Sequence, residues 1–367
     1  MAARPHAAAP LRPRGGRPHA APRGRSRAHA SDPARGVRRD RRARGRAHVP
    51  AGDRVIRFTE PGPQTTVQDL GRPGHLREGI PPSGPMDVRA FVAANRLVGN
   101  PDGAAGLECT VLGPRFSVER ACAIAVTGAE APVTVNDAPA PQWATVALKP
   151  GDAVRIGAAK AGVRIYVAFS GGLDVPAVLG SRATYLRGRL GGVEGRALRR
   201  GDALALLPSA GAPPLRRLAA AEIPALEPEP EIRVVLGPQA DRFTDEGLHA
   251  FLSSPYEMLP QSDRMGARLT GPRIAHRNGH DIISDGIALG AIQVPGDGQP
   301  IVLLVDRQST GGYTKVATVG SFDIGRVGQV KPGQRMRFRA VEVAEAHRLR
   351  QQFERSLAQV AGGGVPT

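Results

Sequence analysis

Thr145–Gly157 reads TVALKPGDAVRIG. Val146 and Leu148 alternate with smaller or polar neighbours, and Val154 and Ile156 do the same after the turn. A period of two on both sides of Lys149-Pro150-Gly151-Asp152 makes this strand, turn, strand, each strand burying one face. The turn recurs as RGDALAL from Arg200 and as KPGQRMRF from Lys331. Outward from it run further short apolar segments: CAIAVTG (122–128), APVTVND (131–137), VRIYVAFSGG (163–172), IRVVLG (232–237), GAIQVPG (290–296), PIVLLVD (300–306) and RMRFRAVEV (335–343). Gly, Pro, Asn or Asp interrupts them at roughly eight-to-twelve-residue intervals, the texture of an all-β barrel or sandwich rather than of βαβ units. Three segments read as helices packed on that scaffold: 83–100, with Ser83 as N-cap and Pro85 in its first turn, 241–254 and 341–360.

The 367 residues suffice for two domains, and a hydrophobic fraction of 41% for a packed core. No apolar run approaches the roughly 18 residues that cross a bilayer, so a soluble, cytoplasmic chain with no membrane partner is expected. Cys109 and Cys122 form no C-x-x-C pair and read as small buried hydrophobes. Residues 1–50 hold fourteen arginines against Asp32 and Asp40, +12 of the formal +17, which leaves only +5 for the rest. That segment is Ala, Arg, Pro, Gly and His, too poor in large apolar residues to offset its ordering entropy. We read 1–53 as a disordered extension, its composition that of an over-extended reading frame. A nucleic-acid-binding tail or a transit peptide are the other readings, and nucleic acid is not an expected partner. The sequence then divides into a β domain at 54–210, a Pro- and charge-rich linker at 211–231, a second β domain at 232–345, and a C-terminal helix and tail at 346–367.

One stretch carries more polarity than a hairpin requires. In AIQVPGDGQPIVLLVDRQSTGGYTK (291–315) a turn feeds an apolar strand that ends at Asp306, followed by Arg307, Gln308, Ser309, Thr310, Gly311, Gly312, Tyr313 and Lys315. Polar groups at the exit of a buried strand sit at a rim where rigidity and solvent access coincide. Arg307 suits a carboxylate with two parallel N–H donors, and backbone amides near Gly311 and Gly312 suit an oxyanion. The structural alternative is local ion pairing around a wide turn. SDRMGARLTG (262–271) places Asp263 and Arg264 ahead of a strand, where alone they read as a capped turn with a surface ion pair. Thr127-Gly128 and Ser170-Gly171 each close an apolar strand with small residues. Neither a P-loop, a G-x-S-x-G elbow nor a Rossmann fingerprint is present. His276 and His280 flank an Asn-Gly turn rather than share a helix face, so no metal site is expected.

Six strings, TTVQDLGRPGH, PPSGPMDVRAFVAANRLVGN, LECTVLGP, SDRMGARLTG, GAIQVPGDGQPIVLLVDRQSTGGYTK and KPGQRMRF, together resemble the C-subunit family of the 5-oxoprolinases, also described as biotin-dependent carboxyltransferase, urea amidolyase-related or allophanate hydrolase subunit 2. The resemblance runs from about Val55 to Val341. Ser309 stands where threonine is usual and Thr314 where proline is usual. It implies a mainly β fold of two cyclophilin-like β-barrel domains with a few packing helices. It further implies two partners, the Kip-inhibitor-like B-subunit together with the A-subunit, which with this chain open the lactam of 5-oxo-L-proline to L-glutamate at the expense of ATP. The chain carries neither an ATP-binding motif nor an A-M-K-M-type biotin attachment site, so ATP and any biotin belong to other polypeptides. On this reading Asp306, Arg307, Gln308 and Thr310 are the catalytic candidates. Arg264, Lys315, Tyr313, Gly311, Gly312, Gln293, Thr127, Gly128, Ser170 and Gly171 are the substrate-binding candidates. Two other functions fit the family: the carboxyltransferase component of a biotin-dependent urea carboxylase, and a non-catalytic regulator of a B-subunit-like kinase inhibitor.

Overall fold

The computed structural model describes residues 55–209, 211, 215–362 and 365–366. The expected extension at 1–53 lies outside the described residues. The strands of the first half are β1 (Ile56–Glu60), β2 (Thr65–Gln68), β3 (Gly106–Thr110), β4 (Arg115–Val118), β5 (Cys122–Glu130), β6 (Val133–Val135), β7 (Ala138–Ala140), β8 (Thr145–Leu148), β9 (Ala153–Ile156), β10 (Ala161–Phe169), β11 (Leu173–Asp174) and β12 (Ala203–Leu206). They form two sheets, ordered β11-β12-β1-β4-β9-β6-β7 and β2-β3-β10-β5-β8. The opening KPGD turn proves to be a corner: β8 pairs with β5 in one sheet, while β9 pairs with β4 and β6 in the other. Phe58, Phe116, Ile124, Ile165 and Phe169 fill the space between the sheets.

The second half contains β14 (Glu231–Leu236), β15 (Tyr256–Met258), β16 (Gly266–Thr270), β17 (Asp281–Gly286), β18 (Ala291–Gln293), β19 (Ile301–Leu303), β20 (Thr310–Tyr313), β21 (Lys315–Val319) and β22 (Arg335–Ala340), following a short β13 (Arg216–Arg217). Seven of these close a barrel in the order β14-β21-β18-β19-β16-β15-β22, sealed by the parallel pairing of β22 with β14. Strands β17 and β20 pair with each other, forming a two-stranded ribbon outside the barrel. The fold is thus mainly β, with two barrel-like halves.

The helices are α1 (Val88–Leu97), α2 (Asp245–Ser253), α3 (Ile324–Gln329) and α4 (Val343–Gln359). Helix α1 starts later than its sequence suggests. Its N-cap is Asp87, whose carboxylate accepts from the Ala90 amide at 3.1 Å. Ser83 instead adopts a left-handed φ of 57°, and its amide donates to Val305 O across to the other half. Residues 82–86 are therefore a connector, and Met86 is buried among Val327, Ile324 and other core residues of the second half. A Cβ at Gly328 would lie 2.2 Å from Met86 Cγ, so the glycine makes room for this insertion. Helix α3 had no sequence signal; its last residue, Gln329, accepts from the Val163 and Arg164 amides at 2.9 Å. Helix α4 returns to the first half, where Arg96 Nη1 donates to the carbonyls of Leu357, Ala358 and Val360 near its C-terminus.

Candidate functional site

The loop before β16 turns on Asp263, whose carboxylate accepts from the Met265 and Gly266 amides at 2.7 and 3.1 Å. This aims Arg264 inward rather than onto the surface, contrary to the reading of the isolated segment. Its Nε donates to Asp306 Oδ2 at 2.9 Å, its Nη2 to Gly84 O at 2.7 Å, and its Nη1 to Glu108 Oε1 at 2.5 Å. Glu108 lies in β3 of the other half. Its second oxygen accepts from the Met86 amide at 2.8 Å and the Tyr166 hydroxyl at 2.9 Å, and Arg164 Nη1 stands 3.5 Å from the first. Arg264, Asp306, Glu108 and Arg164 are all buried. Burial alone would push the Glu108 carboxyl up, but Arg264 and Arg164 hold it below the usual carboxylate range. Burial would lower Arg264 too, yet Asp306 and Glu108 keep it firmly protonated.

Asp306 sits in a turn just past β19, which ends at Leu303, and its amide donates to Arg264 O at 2.9 Å. Both carboxylate oxygens face the Arg264 guanidinium, the longer contact being 3.3 Å. Arg307 points the other way: Nε donates to Ile287 O at 3.1 Å, and burial lowers its pKa. It is 5% exposed, and among the described residues no carboxylate lies within 4 Å of it. The side chain of Ile287 abuts Gly311, where a Cβ would also fall 2.7 Å from Gln293 Nε2. Gln293 in turn opposes Lys315 across β18 and β21. Arg307, Gln293, Gly311 and Lys315 thus gather at the base of the β17–β20 ribbon. Gly312 is half-buried in that ribbon, while Gln308, Thr310 and Tyr313 are exposed around it.

The remaining sequence candidates lie apart, tied to backbone of the first half. Thr127 Oγ1 donates to Ala90 O at 2.7 Å, and Gly128 takes a left-handed φ of 87°. Ser170 Oγ accepts from the Ala123 amide, and the Gly171 amide donates to Asn100 Oδ1. Thr314, one of the two residues departing from the family pattern, is buried with its hydroxyl 3.1 Å from His276 Nε2. The two thiols are poor nucleophiles, burial pushing Cys109 up to about 12 and Cys122 up to about 11.

Sequence reasoning missed Arg72, Glu108 and Tyr185. Arg72 is 1% exposed, donates to Ala183 O and Val178 O, and leaves Nη1 with no hydrogen-bond partner among the described residues. Burial lowers its pKa, opposed by the charges of Asp69 and Asp306. Burial and then Asp306 raise the Tyr185 hydroxyl. A signal existed for Glu108, a lone charge inside the apolar run GLECTVLG, and for Arg72 in the GRPG of a family string.

The family profile described as carboxyltransferase domain, subdomain A and B, matches residues 78–340. The 5-oxoprolinase C-subunit of Escherichia coli is 34% identical over 307 residues, 84% of this chain and 98% of that protein. The urea amidolyase of Saccharomyces cerevisiae is 35% identical over 330 residues, 84% of this chain but 18% of the relative's length. Among solved structures, the Kluyveromyces lactis urea amidolyase superposes with a TM-score of 0.80 at 33% identity, covering 83% of this chain and 20% of that one. The urea carboxylase of the same yeast gives 0.79 at 34% identity, covering 84% and 29%. With both halves of the fold spanned by the profile, the chain belongs to the carboxyltransferase domain family, subdomains A and B.

Proposed function

We propose that this chain is the C-subunit of an ATP-dependent 5-oxoprolinase, acting with the A- and B-subunits to open 5-oxo-L-proline to L-glutamate. The observation that carries the reading is Arg307, a buried guanidinium with no carboxylate within 4 Å among the described residues. A buried cation without a counter-charge is costly unless a ligand supplies one. 5-Oxoproline carries a carboxylate; urea does not. Coverage of 98% of the E. coli C-subunit supports the same assignment.

In this reading water adds to the lactam carbonyl carbon, the C–N bond breaks, and the departing nitrogen takes a proton. Arg307 and Lys315 meet the substrate carboxylate, while Gln308, the Thr310 hydroxyl and the amides near Gly311 and Gly312 supply donors toward the oxygen on which charge develops. Arg264 and Asp306 hold each other and fix the turn that presents Arg307. The glycine pair lies within a β ribbon, not between a strand and a helix N-terminus, so it does not fit a phosphate-binding loop. ATP chemistry is therefore assigned to the partners, and so is any protein-attached biotin.

Mixed with the A- and B-subunits, the chain is expected to release glutamate from 5-oxoproline only when ATP is present. Arg307→Ala should abolish turnover while the complex still assembles in size-exclusion chromatography. Full activity in that variant would refute the site. The second reading, carboxyl transfer from carboxybiotin to urea, is favoured by the superposition on the two yeast enzymes. Carboxylation of urea by the chain supplied with a biotinylated carrier and a biotin carboxylase would replace the first reading.

A further inference from the structure

The β17–β20 register matches Asp281 with Tyr313 and Asp285 with Gly311, so Ile282, Ile283 and Ser284 bulge out opposite Gly312. Ile283 at the crest is 94% exposed. The bulge walls an open depression of about 690 Å³, with Gln239 and Arg242 on its other side. A bulge re-aims the side chains at its base, and here one of them is Asp285.

Asp285 Oδ2 stands 3.4 Å from Lys315 Nζ. Lys315 is 6% exposed and Gln293 2%, yet among the described residues neither Lys315 Nζ nor Gln293 Nε2 has a hydrogen-bond partner. Two buried donors on register-opposed residues, both without an acceptor, form a site that some acceptor must complete. The anion now nearest to Lys315 is Asp285, half-exposed, on a ribbon outside the barrel and too far for a good hydrogen bond. The Gly286 amide donates to Asp285 Oδ1 at 2.7 Å and tethers it there. That amide first, and then Lys315, lower the Asp285 pKa, so it competes as a full charge at neutral pH.

We propose that Lys315 and Gln293 form a carboxylate-binding pocket, and that Asp285 is its internal stand-in, displaced when a carboxylate-bearing ligand enters. The inference rests on the reading of Lys315 and Gln293 as substrate contacts. A ligand carboxylate, free to approach closely, accepts from both orphaned donors at once, while Asp285 swings into water at small cost. The neutral lactam ring would gain nothing from this exchange. The pocket therefore selects for the carboxylate and not for the amide bond.

The test uses the full chain, with acetate, 5-oxo-L-proline and 5-oxo-L-prolinamide titrated by ligand-observed NMR. Asp285→Asn is expected to tighten acetate and 5-oxoproline by about fivefold and leave the neutral amide unchanged. Adding Lys315→Gln should remove the gain. Equal 5-oxoproline binding by wild type and Asp285→Asn overturns the displacement but keeps the substrate reading. Tighter acetate with no 5-oxoproline binding supports the displacement and overturns the substrate reading. No binding of acetate or 5-oxoproline by either protein overturns the pocket.

Discussion

Glu108 shows how much depends on one side chain. It is a carboxylate in the middle of a buried strand, and it meets Arg264 from the opposite half of the molecule. Removing one member of a buried ion pair leaves the other uncompensated, which costs about 3–5 kcal/mol. Glu108→Gln should lower the urea midpoint accordingly. Because the folded-state pKa is depressed, its stabilising contribution is complete above the ordinary carboxylate value, about 4.3. It is lost as pH falls through the folded value. The wild type should therefore show an acid loss of stability below about pH 4.3 that the Gln variant lacks in part, measured as denaturation midpoint against pH. At this scale the sequence is readable only where polarity is concentrated. Arg307, Lys315 and Gln293 come from one dense stretch and gather in space. Asp285 in β17 and Arg72 in the loop after β2 come from elsewhere in the sequence, and only the folded chain brings them to Lys315 and toward Asp306.

Among the elements, the short connector 82–86 has an importance its length conceals. In sequence it resembles the start of a helix because Ser83 and Pro85 imitate an N-terminus. Tertiary contacts claim those residues instead, and the cap passes to Asp87. Met86→Ala would empty a slot in the core of the second half. We expect a loss of about 2–5 kcal/mol in chemical unfolding, with little change in secondary structure by circular dichroism. Strands are legible because a period of two survives in single sequences. Their partners are not, since β1 pairs with β12 across most of the first half. Helix α3 escapes notice because six residues, IGRVGQ, are too few to show a helical period.

Over the whole molecule, the two halves are joined by interlocking polar groups. Glu108 and Arg264 bridge them at the centre, Gln329 and Lys331 add bonds to the 159–164 backbone, and Arg96 receives the end of α4. Such groups are fully hydrated until the last moment of assembly. Each must shed its water before any partner can replace it, and attraction across the gap offsets that loss only at contact distance. The halves should accordingly form first and join afterwards. Refolding followed by two probes is expected to separate a fast phase, barrel formation, from a slower one that buries Met86. Replacing Glu108, Arg264 and Asp306 together by apolar residues of similar size should speed the slow phase. The charges that make the joined state specific are thus also what delays its formation.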